Sequence, residues 1–433
     1  MRCATMVRKR RKAPDATAPF PAFRMEGDTM DETCGGAQEG FARARQLFCQ
    51  EFGEPPAGER LLKVHAPGRS EIAGNHTDHE GGHVIAGALD VAVDALARPN
   101  GTDVVRLASD GYPTIEVSLD SLDPHEGERN TTAALVRGMA FGMARDGRTP
   151  AGFDLAMTST IPVGGGLSSS AAVEAALGRA MEALWDGRGY EPLEMARMSQ
   201  FAENVYFGKP CGLMDQASVC MGGLAFIDFA NSEKPVAKRL EFDFENHGYA
   251  LCLVNVGSSH ADLTDAYAAM PQEMQAVAAV FGKRRLCEVD EDEFDARVPE
   301  LRRDLGDRAV LRAIHYWREN ELVDKRWVAL NAPDIDAFLE CTRLSGASSA
   351  MFLQNVSCGV ESQPAMVALA LAERVLDGRG ATRIHGGGFG GTIQCFVPLD
   401  VVEEFSDRMD AWLGAGSCRR YRISDKGAYA AWE

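Results

Sequence analysis

Residues 162–170 read PVGGGLSSS, and this stretch constrains the fold more than any other part of the chain. An alternating, strand-like run precedes it, and the alanine-rich pattern AAVEAALGRAMEALW follows it. Three glycines let the backbone approach a ligand without Cβ clashes, and the serines open a helix whose unpaired N–H groups attract anions. The stretch therefore predicts a strand, a glycine turn and a phosphate-binding helix. The alternative is a tight structural turn with a serine N-cap.

A second glycine-rich turn, GGGFGG at residues 386–391, leads into the strand-like run TIQCFVP. Taken alone, such a turn is also typical of a β-bulge or a hairpin. Together with the first turn, it is interpreted as a wall of a nucleotide pocket. The predicted nucleotide-binding residues of the two turns are Gly164, Gly165, Gly166, Leu167, Ser168, Ser169, Ser170, Gly387 and Gly388.

The segment APGRSEIAGNHTDHEGG at residues 66–82 places many polar side chains between apolar, strand-like runs. Polar groups so close to a core are costly unless they are hydrogen-bonded or bind something. The density of polar groups favours a polyol or sugar site. Two alternatives stay open: a loop with a satisfied hydrogen-bond network, and a metal site formed by His76, His79 and His83.

The composition excludes several classes of protein. The 433 residues include 45 Lys+Arg and 63 Asp+Glu, for a net charge of −18, which disfavours nucleic-acid binding through a basic surface. No run of apolar residues is long enough to span a membrane. The 11 cysteines are scattered and form no CxxC pair, which favours reduced thiols in the cytoplasm. Because the net charge is negative, an anionic ligand must be held by a local group of hydrogen-bond donors such as a helix N-terminus.

The mixture of helical patterns and antiparallel-looking strands predicts an α+β fold. The strand-like run LLKVHA at residues 61–66 is expected to end at Pro67-Gly68. Residues 1–38, which contain RKRRK and then a run rich in Pro, Ala and Gly, are predicted to be a disordered extension. Alternatives are a nuclear-localisation or transit segment, or translation that starts at Met25 or Met30. A domain boundary is expected near residue 228.

In order and spacing, these stretches resemble motifs of the GHMP small-molecule kinases and, within them, of the galactokinases. The sugar-binding core reads GEHTDYNGG in that family and GNHTDHEGG here. PVGGGLSSSAA and IHGGGFGG resemble the second and third motifs, and AENVYFGKPCGLMDQ resembles the segment that ends in the catalytic aspartate. The resemblance covers roughly residues 40–430.

The resemblance implies a two-lobed GHMP kinase fold with the active site in the cleft between the lobes. Residues 39–228 would form the N-terminal sugar- and ATP-binding lobe, and residues 229–433 the C-terminal lobe. The implied reaction is the MgATP-dependent phosphorylation of galactose at its anomeric hydroxyl, the first committed step of galactose catabolism. The implied partners are a small sugar and MgATP, with no nucleic acid or membrane, in a monomer or weak homo-oligomer.

The resemblance also assigns roles to individual residues. Asp215 matches the catalytic aspartate and Arg69 the active-site arginine. Ser170 and Glu203 match the residues that place Mg²⁺. The expected sugar contacts are Asn75, His76, Asp78, Gly212 and Tyr267.

The chain departs from the family pattern mainly at the sugar end. Asn75 replaces a glutamate, Ser70 and Glu71 replace a valine and an asparagine, and His79 replaces a tyrosine. His385 replaces a threonine before the third motif. These changes keep two alternatives open: a kinase for a related sugar such as N-acetylgalactosamine or arabinose, and a non-catalytic regulator that binds sugar and ATP.

Overall fold

The computed structural model describes residues 36–162, 165–231, 234–257, 264–357, 359, 361–389 and 391–433. Residues 1–35 of the expected N-terminal extension lie outside this range, as does Gly164 of the first glycine turn. The first described helix begins at Gly36.

The described residues form an eight-stranded and a four-stranded sheet. The strands of the larger sheet are β1 (Leu62–Ala73), β2 (His83–Pro99), β3 (Val104–Ser109), β4 (Ile115–Ser118), β5 (Phe153–Ser159), β6 (Leu224–Asp228), β7 (Val236–Leu240) and β12 (Tyr429–Trp432). Those of the smaller sheet are β8 (Tyr249–Asn255), β9 (Ala381–Ile384), β10 (Thr392–Pro398) and β11 (Cys418–Tyr421).

The larger sheet has the order β12-β1-β2-β5-β3-β4, with β6 paired to β2 and β7 paired to β6. The smaller sheet has the order β11-β8-β10-β9. Both are mainly antiparallel, although β3 and β5 run parallel. Strands β7 and β12, which follow residue 228, thus extend the larger sheet, and the division of the chain at that residue stays a prediction.

Eleven α-helices of the described residues cover these sheets. They are α1 (Gly36–Phe52), α2 (Thr132–Arg145), α3 (Ser169–Leu184), α4 (Pro192–Phe201), α5 (Met214–Met221), α6 (Thr264–Val280), α7 (Glu291–Leu305), α8 (Asp307–Asn331), α9 (Ile335–Ser348), α10 (Pro364–Leu376) and α11 (Val402–Leu413). Within the described ranges, none of them has the length and apolar character that a membrane span requires.

The expectation that the first strand ends at Pro67-Gly68 is wrong. Strand β1 continues to Ala73, and its register against β2 shifts between Pro67 and Arg69. A β-bulge of this kind lets a strand accommodate a proline, which lacks the N–H group for a ladder hydrogen bond. The polar residues Arg69, Ser70 and Glu71 consequently lie on a sheet and not on a loop. The hydrogen bonds between the strands therefore fix the backbone positions of these residues.

Helix α3 packs closely on β1 and β2 because half of its buried residues are alanine. Where α3 passes α4, there is no space for a side chain at Gly178, because a Cβ atom there would collide with the sulfur of Met195. This packing sets the N-terminus of α3 directly beside the bulged part of β1.

A buried ion pair anchors the far end of β1 to α8. Arg326 Nη2 lies 2.6 Å from Glu319 Oε1, and both side chains are fully buried. The same oxygen accepts hydrogen bonds from the backbone N–H of Gly74 at 3.1 Å and from Ser345 at 2.9 Å. Burial acts to raise the pKa of Glu319, but the charges of Arg326, His315 and Arg383 and the hydrogen bond from Ser345 together outweigh it, so the pKa falls to about 2. Glu319 is therefore ionised and fixes the turn that follows β1.

Candidate active site

Arg69 on β1 and Asp215 in the first turn of α5 form a bidentate ion pair. Arg69 Nε and Nη2 each lie 2.7 Å from one oxygen of Asp215, and the Asp215 side chain keeps 27% of its surface exposed. Burial acts to raise the pKa of Asp215, but the charge and hydrogen bonds of Arg69 and the hydroxyl of Ser168 lower it overall. Asp215 is thus an ionised carboxylate with an open side.

The first glycine turn holds this pair in place. Arg69 donates from Nη1 to the carbonyl of Gly166 and from its backbone N–H to the carbonyl of Leu167. Ser168 occupies the N-cap position of α3, but its hydroxyl makes no cap hydrogen bond and instead donates to Asp215. The serine N-cap predicted as an alternative is therefore wrong in its side-chain role. The backbone N–H groups of the first turn of α3 are left for a ligand, as an anion site requires.

Ser170 and Glu203 lie together, as the sequence predicts for a magnesium site. Ser170 Oγ donates to Glu203 Oε1 at 3.1 Å, and Lys209 Nζ lies 3.5 Å from the same oxygen. Gln216 Nε2 donates to Glu203 Oε2 at 2.7 Å and to Glu174 Oε2 at 3.2 Å. This cluster lies next to Asp215, because Gln216 is its neighbour in α5.

The sequence analysis missed Glu174 and Gln216. Both side chains are fully buried, and Glu174 Oε1 and Gln216 Oε1 have no hydrogen-bond partner among the described residues. Burial and the charge of Glu203 raise the pKa of Glu174 well above its ordinary value. One signal could have found Glu174: it follows Ser170 by four positions, so both side chains lie on one face of α3.

Two of the predicted sugar residues, His76 and Tyr267, lie beside the second glycine turn. His76 Nε2 lies 3.0 Å from the carbonyl oxygen of Gly387, and its ring centroid lies 5.2 Å from that of Tyr267. A Cβ atom at Gly387 would collide with the Tyr267 ring. Burial lowers the pKa of His76 to about 4, so the imidazole is neutral. Because the carbonyl needs a donor, Nε2 carries the proton and Nδ1 is an acceptor.

Asp78 and Gly212 lie against each other near Tyr267. A Cβ atom at Gly212 would lie only 2.8 Å from Asp78 Oδ2, so the carboxylate occupies the space that glycine leaves. The charges of Asp78 and Asp215, added to burial, raise the pKa of Tyr267 to about 12. His76, Asp78, Gly212 and Tyr267 are thereby brought close to Asp215.

Asn75 points away from a ligand. Its Nδ2 donates to the carbonyl of Gly386 at 2.5 Å and to Glu71 Oε1 at 3.3 Å. Its Oδ1 accepts from Asn355 Nδ2 at 2.7 Å and from Ser349 Oγ at 3.2 Å. Both donors and both acceptor directions of the amide are thus used inside the protein. The sugar contact predicted for Asn75 has no direct geometric support, and the residue instead links β1 to the second glycine turn.

Glu71 forms a buried ion pair with Arg383 on β9. Arg383 Nη2 lies 2.5 Å from Glu71 Oε1, and both residues are buried. Burial acts to raise the pKa of Glu71 and does so overall, although the Arg383 charge opposes the shift. The negative charge that the family pattern places at position 75 is found four residues earlier in this chain.

Three non-glycine residues of the motifs have a left-handed backbone. They are His76 at φ 60°, Ser168 at φ 54° and Phe389 at φ 60°. Side chains other than glycine adopt this region at a cost of about 1–3 kcal/mol. One such residue lies in each of the three motifs, so the surrounding packing must hold each of these turns in place. Gly388, at φ 83°, also has no space for a Cβ atom because Asn355 lies against it.

The three histidines proposed as a metal site do not converge. His76 faces Gly387, whereas His83 Nδ1 lies 2.7 Å from Asp324. Within the part of the chain that the structure describes, no group of three His, Cys, Asp or Glu side chains could hold a metal ion.

Comparison with known proteins connects this site to a family. Residues 133–223 match the model of the GHMP kinases N terminal domain, and residues 46–99 match that of the galactokinase galactose-binding signature. A galactokinase of Actinobacillus pleuropneumoniae serotype 5b is 30% identical over 377 residues, which are 83% of this chain and 91% of that protein.

Solved structures show the same fold. The crystal structure of Lactococcus lactis galactokinase complexed with galactose matches with a TM-score of 0.75 and 26% identity, over 90% of this chain and 99% of that chain. Methanococcus jannaschii mevalonate kinase matches with a TM-score of 0.60 over 85% of this chain and 99% of that chain, at 13% identity. The expected α+β GHMP kinase fold is confirmed, and the chain belongs to the galactokinase family of the GHMP kinases.

Proposed function

We propose that this protein transfers the terminal phosphoryl group of ATP to the anomeric hydroxyl of galactose, giving galactose 1-phosphate and ADP. The observation that carries the proposal is the bidentate pair of Arg69 and Asp215, held against the glycine turn at the N-terminus of α3. The family membership and the galactose-bound relative support the choice of sugar.

Asp215 would act as the general base. Its carboxylate is ionised and partly open to the pocket, so it can accept the proton of the anomeric hydroxyl as that oxygen bonds to phosphorus. The bond from phosphorus to the bridging oxygen of ADP breaks at the same centre. Arg69 keeps Asp215 ionised, and its positive charge would stabilise the negative charge on the phosphoryl group in the transition state.

The nucleotide phosphates would lie between the two glycine turns. Gly166, Leu167 and the serines that begin α3 would supply backbone N–H groups, whereas the N–H of Gly165 already donates to the carbonyl of Pro162. Gly387 and Gly388 would form a wall close to the phosphates. Because the net charge of the protein is −18, a local group of N–H donors is needed to hold an anion. Gly164 belongs to this turn by sequence and lies outside the described residues.

Ser170 and Glu203 fit a magnesium ion. The hydroxyl and carboxylate lie 3.1 Å apart. Oε1 of buried Glu174, whose raised pKa favours the neutral acid, has no hydrogen-bond partner among the described residues and supports an additional ligand at this place. Mg²⁺ in such sites takes one or two carboxylates together with substrate phosphates and water. When bound, the ion would neutralise charge on the nucleotide phosphates. Lys209 balances Glu203 in its absence.

The sugar would be held by His76, Asp78, Gly212 and Tyr267, which surround the open side of Asp215. The alternative of a related sugar, such as N-acetylgalactosamine or arabinose, rests on the altered Asn75 and Glu71. A non-catalytic regulator is disfavoured because the catalytic pair and its supporting turn are complete. The free thiols of the described cysteines favour a reducing compartment, so we place the reaction in the cytoplasm.

The test is ADP release from MgATP against galactose, 2-deoxygalactose, N-acetylgalactosamine, glucose and arabinose. We expect turnover with galactose, and Asp215→Ala should abolish it while binding of ATP persists. Turnover restricted to another sugar would leave the kinase and replace the substrate. ATP binding without turnover on any sugar would favour the regulator.

A further inference from the structure

Two departures from the family pattern, far apart in sequence, are hydrogen-bonded to each other. Ser70 replaces a valine on β1, and His385 replaces a threonine just after β9. Ser70 Oγ lies 3.0 Å from His385 Nε2, and both residues are buried. The hydrogen bond joins the larger sheet to the smaller one beside Arg69.

The partners of Ser70 determine the direction of this hydrogen bond. Gln394 Nε2 lies 2.9 Å from the carbonyl oxygen of Glu71 and 3.1 Å from Ser70 Oγ. A carbonyl only accepts, so the amide nitrogen of Gln394 must point to both oxygens. Ser70 therefore accepts from Gln394. The buried hydroxyl has no other recorded acceptor among the described residues, so it donates its own proton to His385 Nε2.

It follows that the proton of the imidazole is on Nδ1. Burial lowers the pKa of His385 to about 3, and the charges of Arg69 and Arg383 act in the same direction, so the ring is neutral. A neutral ring that accepts at Nε2 carries its proton on Nδ1. The hydrogen-bond network thus assigns the tautomer.

Nδ1 faces the first glycine turn. An ideal Cβ atom on Gly166 would lie 3.7 Å from His385 Nδ1, and Gly166 has φ 70°. The carbonyl of this glycine already accepts from Arg69. Among the described residues, no acceptor is recorded for Nδ1. A neutral N–H donor therefore lies at the turn where the nucleotide phosphates are expected.

We propose that His385 is a phosphate-binding residue that donates a hydrogen bond from Nδ1–H to the transferred phosphoryl group, and that Ser70 and Gln394 are positioning residues that fix its tautomer. The proposal rests on the kinase function proposed above. A neutral donor suits this place because a second cation beside Arg69 would be costly to bury. The opposite tautomer would present a lone pair to the phosphate and repel it.

Two substitutions of His385 separate its two nitrogens. The amide of His385→Asn occupies the place of Nδ1, whereas the amide of His385→Gln occupies the place of Nε2. We expect His385→Gln to lower kcat by about 100- to 1000-fold, as loss of one transition-state donor does. His385→Asn should lose no more than about fivefold, and KM for the sugar should change little in both.

Ser70→Val tests the role of the hydrogen bond from Ser70 to His385 without changing the histidine. It removes the donor that fixes the tautomer, so kcat should fall. The double variant Ser70→Val with His385→Thr restores the family residues at both positions. Its kcat should be higher than that of Ser70→Val alone. Equal kcat for His385→Gln and His385→Asn, or strictly additive effects of the pair, would overturn the proposal. Thermal melting of each variant identifies losses due to unfolding.

A measurement on the unmodified protein is independent of turnover. In ¹⁵N-histidine-labelled protein, the His385 resonances should show a protonated Nδ1 and an unprotonated Nε2, and a protonated Nε2 would overturn the proposal. If no sugar is phosphorylated, the proposed function fails on its own. Binding of the non-hydrolysable analogue AMP-PNP with Mg²⁺ then decides: weaker binding by His385→Gln than by His385→Asn supports phosphate binding, and equal affinities contradict it.

Discussion

Asn75 donates a hydrogen bond from its amide to the carboxylate of Glu71 at 3.3 Å, so the two positions that exchange an amide and a carboxylate relative to the galactokinase pattern are direct partners. Arg383 compensates the charge at its new position. The exchange is therefore a coupled change, and neither residue can be interpreted alone.

A double-mutant cycle tests this coupling. Asn75→Glu should place a second buried carboxylate next to Glu71, and Glu71→Asn should leave Arg383 buried without a carboxylate, which costs about 3–5 kcal/mol. The combination Glu71→Asn with Asn75→Glu should be more stable than either single variant and should raise galactose turnover relative to the other sugars. Urea unfolding and kcat/KM over the sugar panel measure both effects. Additive free energies of unfolding would contradict the coupling.

Ser168→Ala should move the acidic limb of the kcat/KM profile to higher pH. The active form has Asp215 ionised, and Ser168 lowers the pKa of Asp215 by donating to that form. Loss of a hydrogen bond of about 1.4 kcal/mol would raise this pKa by about one unit. The basic limb should stay in place. The control is Ser424→Ala, which removes a half-buried hydroxyl that donates to the carbonyl of Lys426. An acidic limb at the same pH in both variants would contradict the role of Ser168.

Glu203→Gln should raise the Mg²⁺ concentration needed for half-maximal activity by at least about tenfold, because a neutral amide is a poor ligand for a hard cation. Titration of Mg²⁺ at saturating ATP and sugar measures the effect. Glu182→Gln, on the same helix as Ser170 but paired with Arg179, is the control. An unchanged Mg²⁺ requirement would remove Glu203 from the metal site.

Glu80→Gln should stabilise the protein above neutral pH. Glu80 is fully buried, and burial raises its pKa from 4.5 to about 7. The folded protein therefore binds a proton that the unfolded chain releases, so stability falls between about pH 4.5 and 7, by about 3 kcal/mol in total. The variant should lack this decline, whereas the exposed Glu116→Gln should retain it. Urea unfolding from pH 4.5 to 8 measures the slopes.

The first glycine turn and the helix that follows it could be predicted from sequence, because glycines and serines between an alternating run and an alanine-rich run mark a turn and the start of a helix. Residue patterns did not show that β1 continues past Pro67, since a bulge depends on its partner strand. The direction of the Asn75 amide depends on Ser349 and Asn355, almost 300 positions later. Glu174 and Gln216 escaped notice because each resembles an ordinary helical residue until the two helices meet.

Strand β12 covers the free edge of β1, the strand that carries Arg69. Arg60, just before β1, donates to the carbonyl of Glu433, 373 positions later. During synthesis, the larger sheet therefore cannot close until residues beyond the smaller sheet have left the ribosome. An exposed strand edge invites pairing with other chains, and such distant pairing is slow. The expected consequence is that the edge of β1 stays open to pairing with other chains until β12 docks.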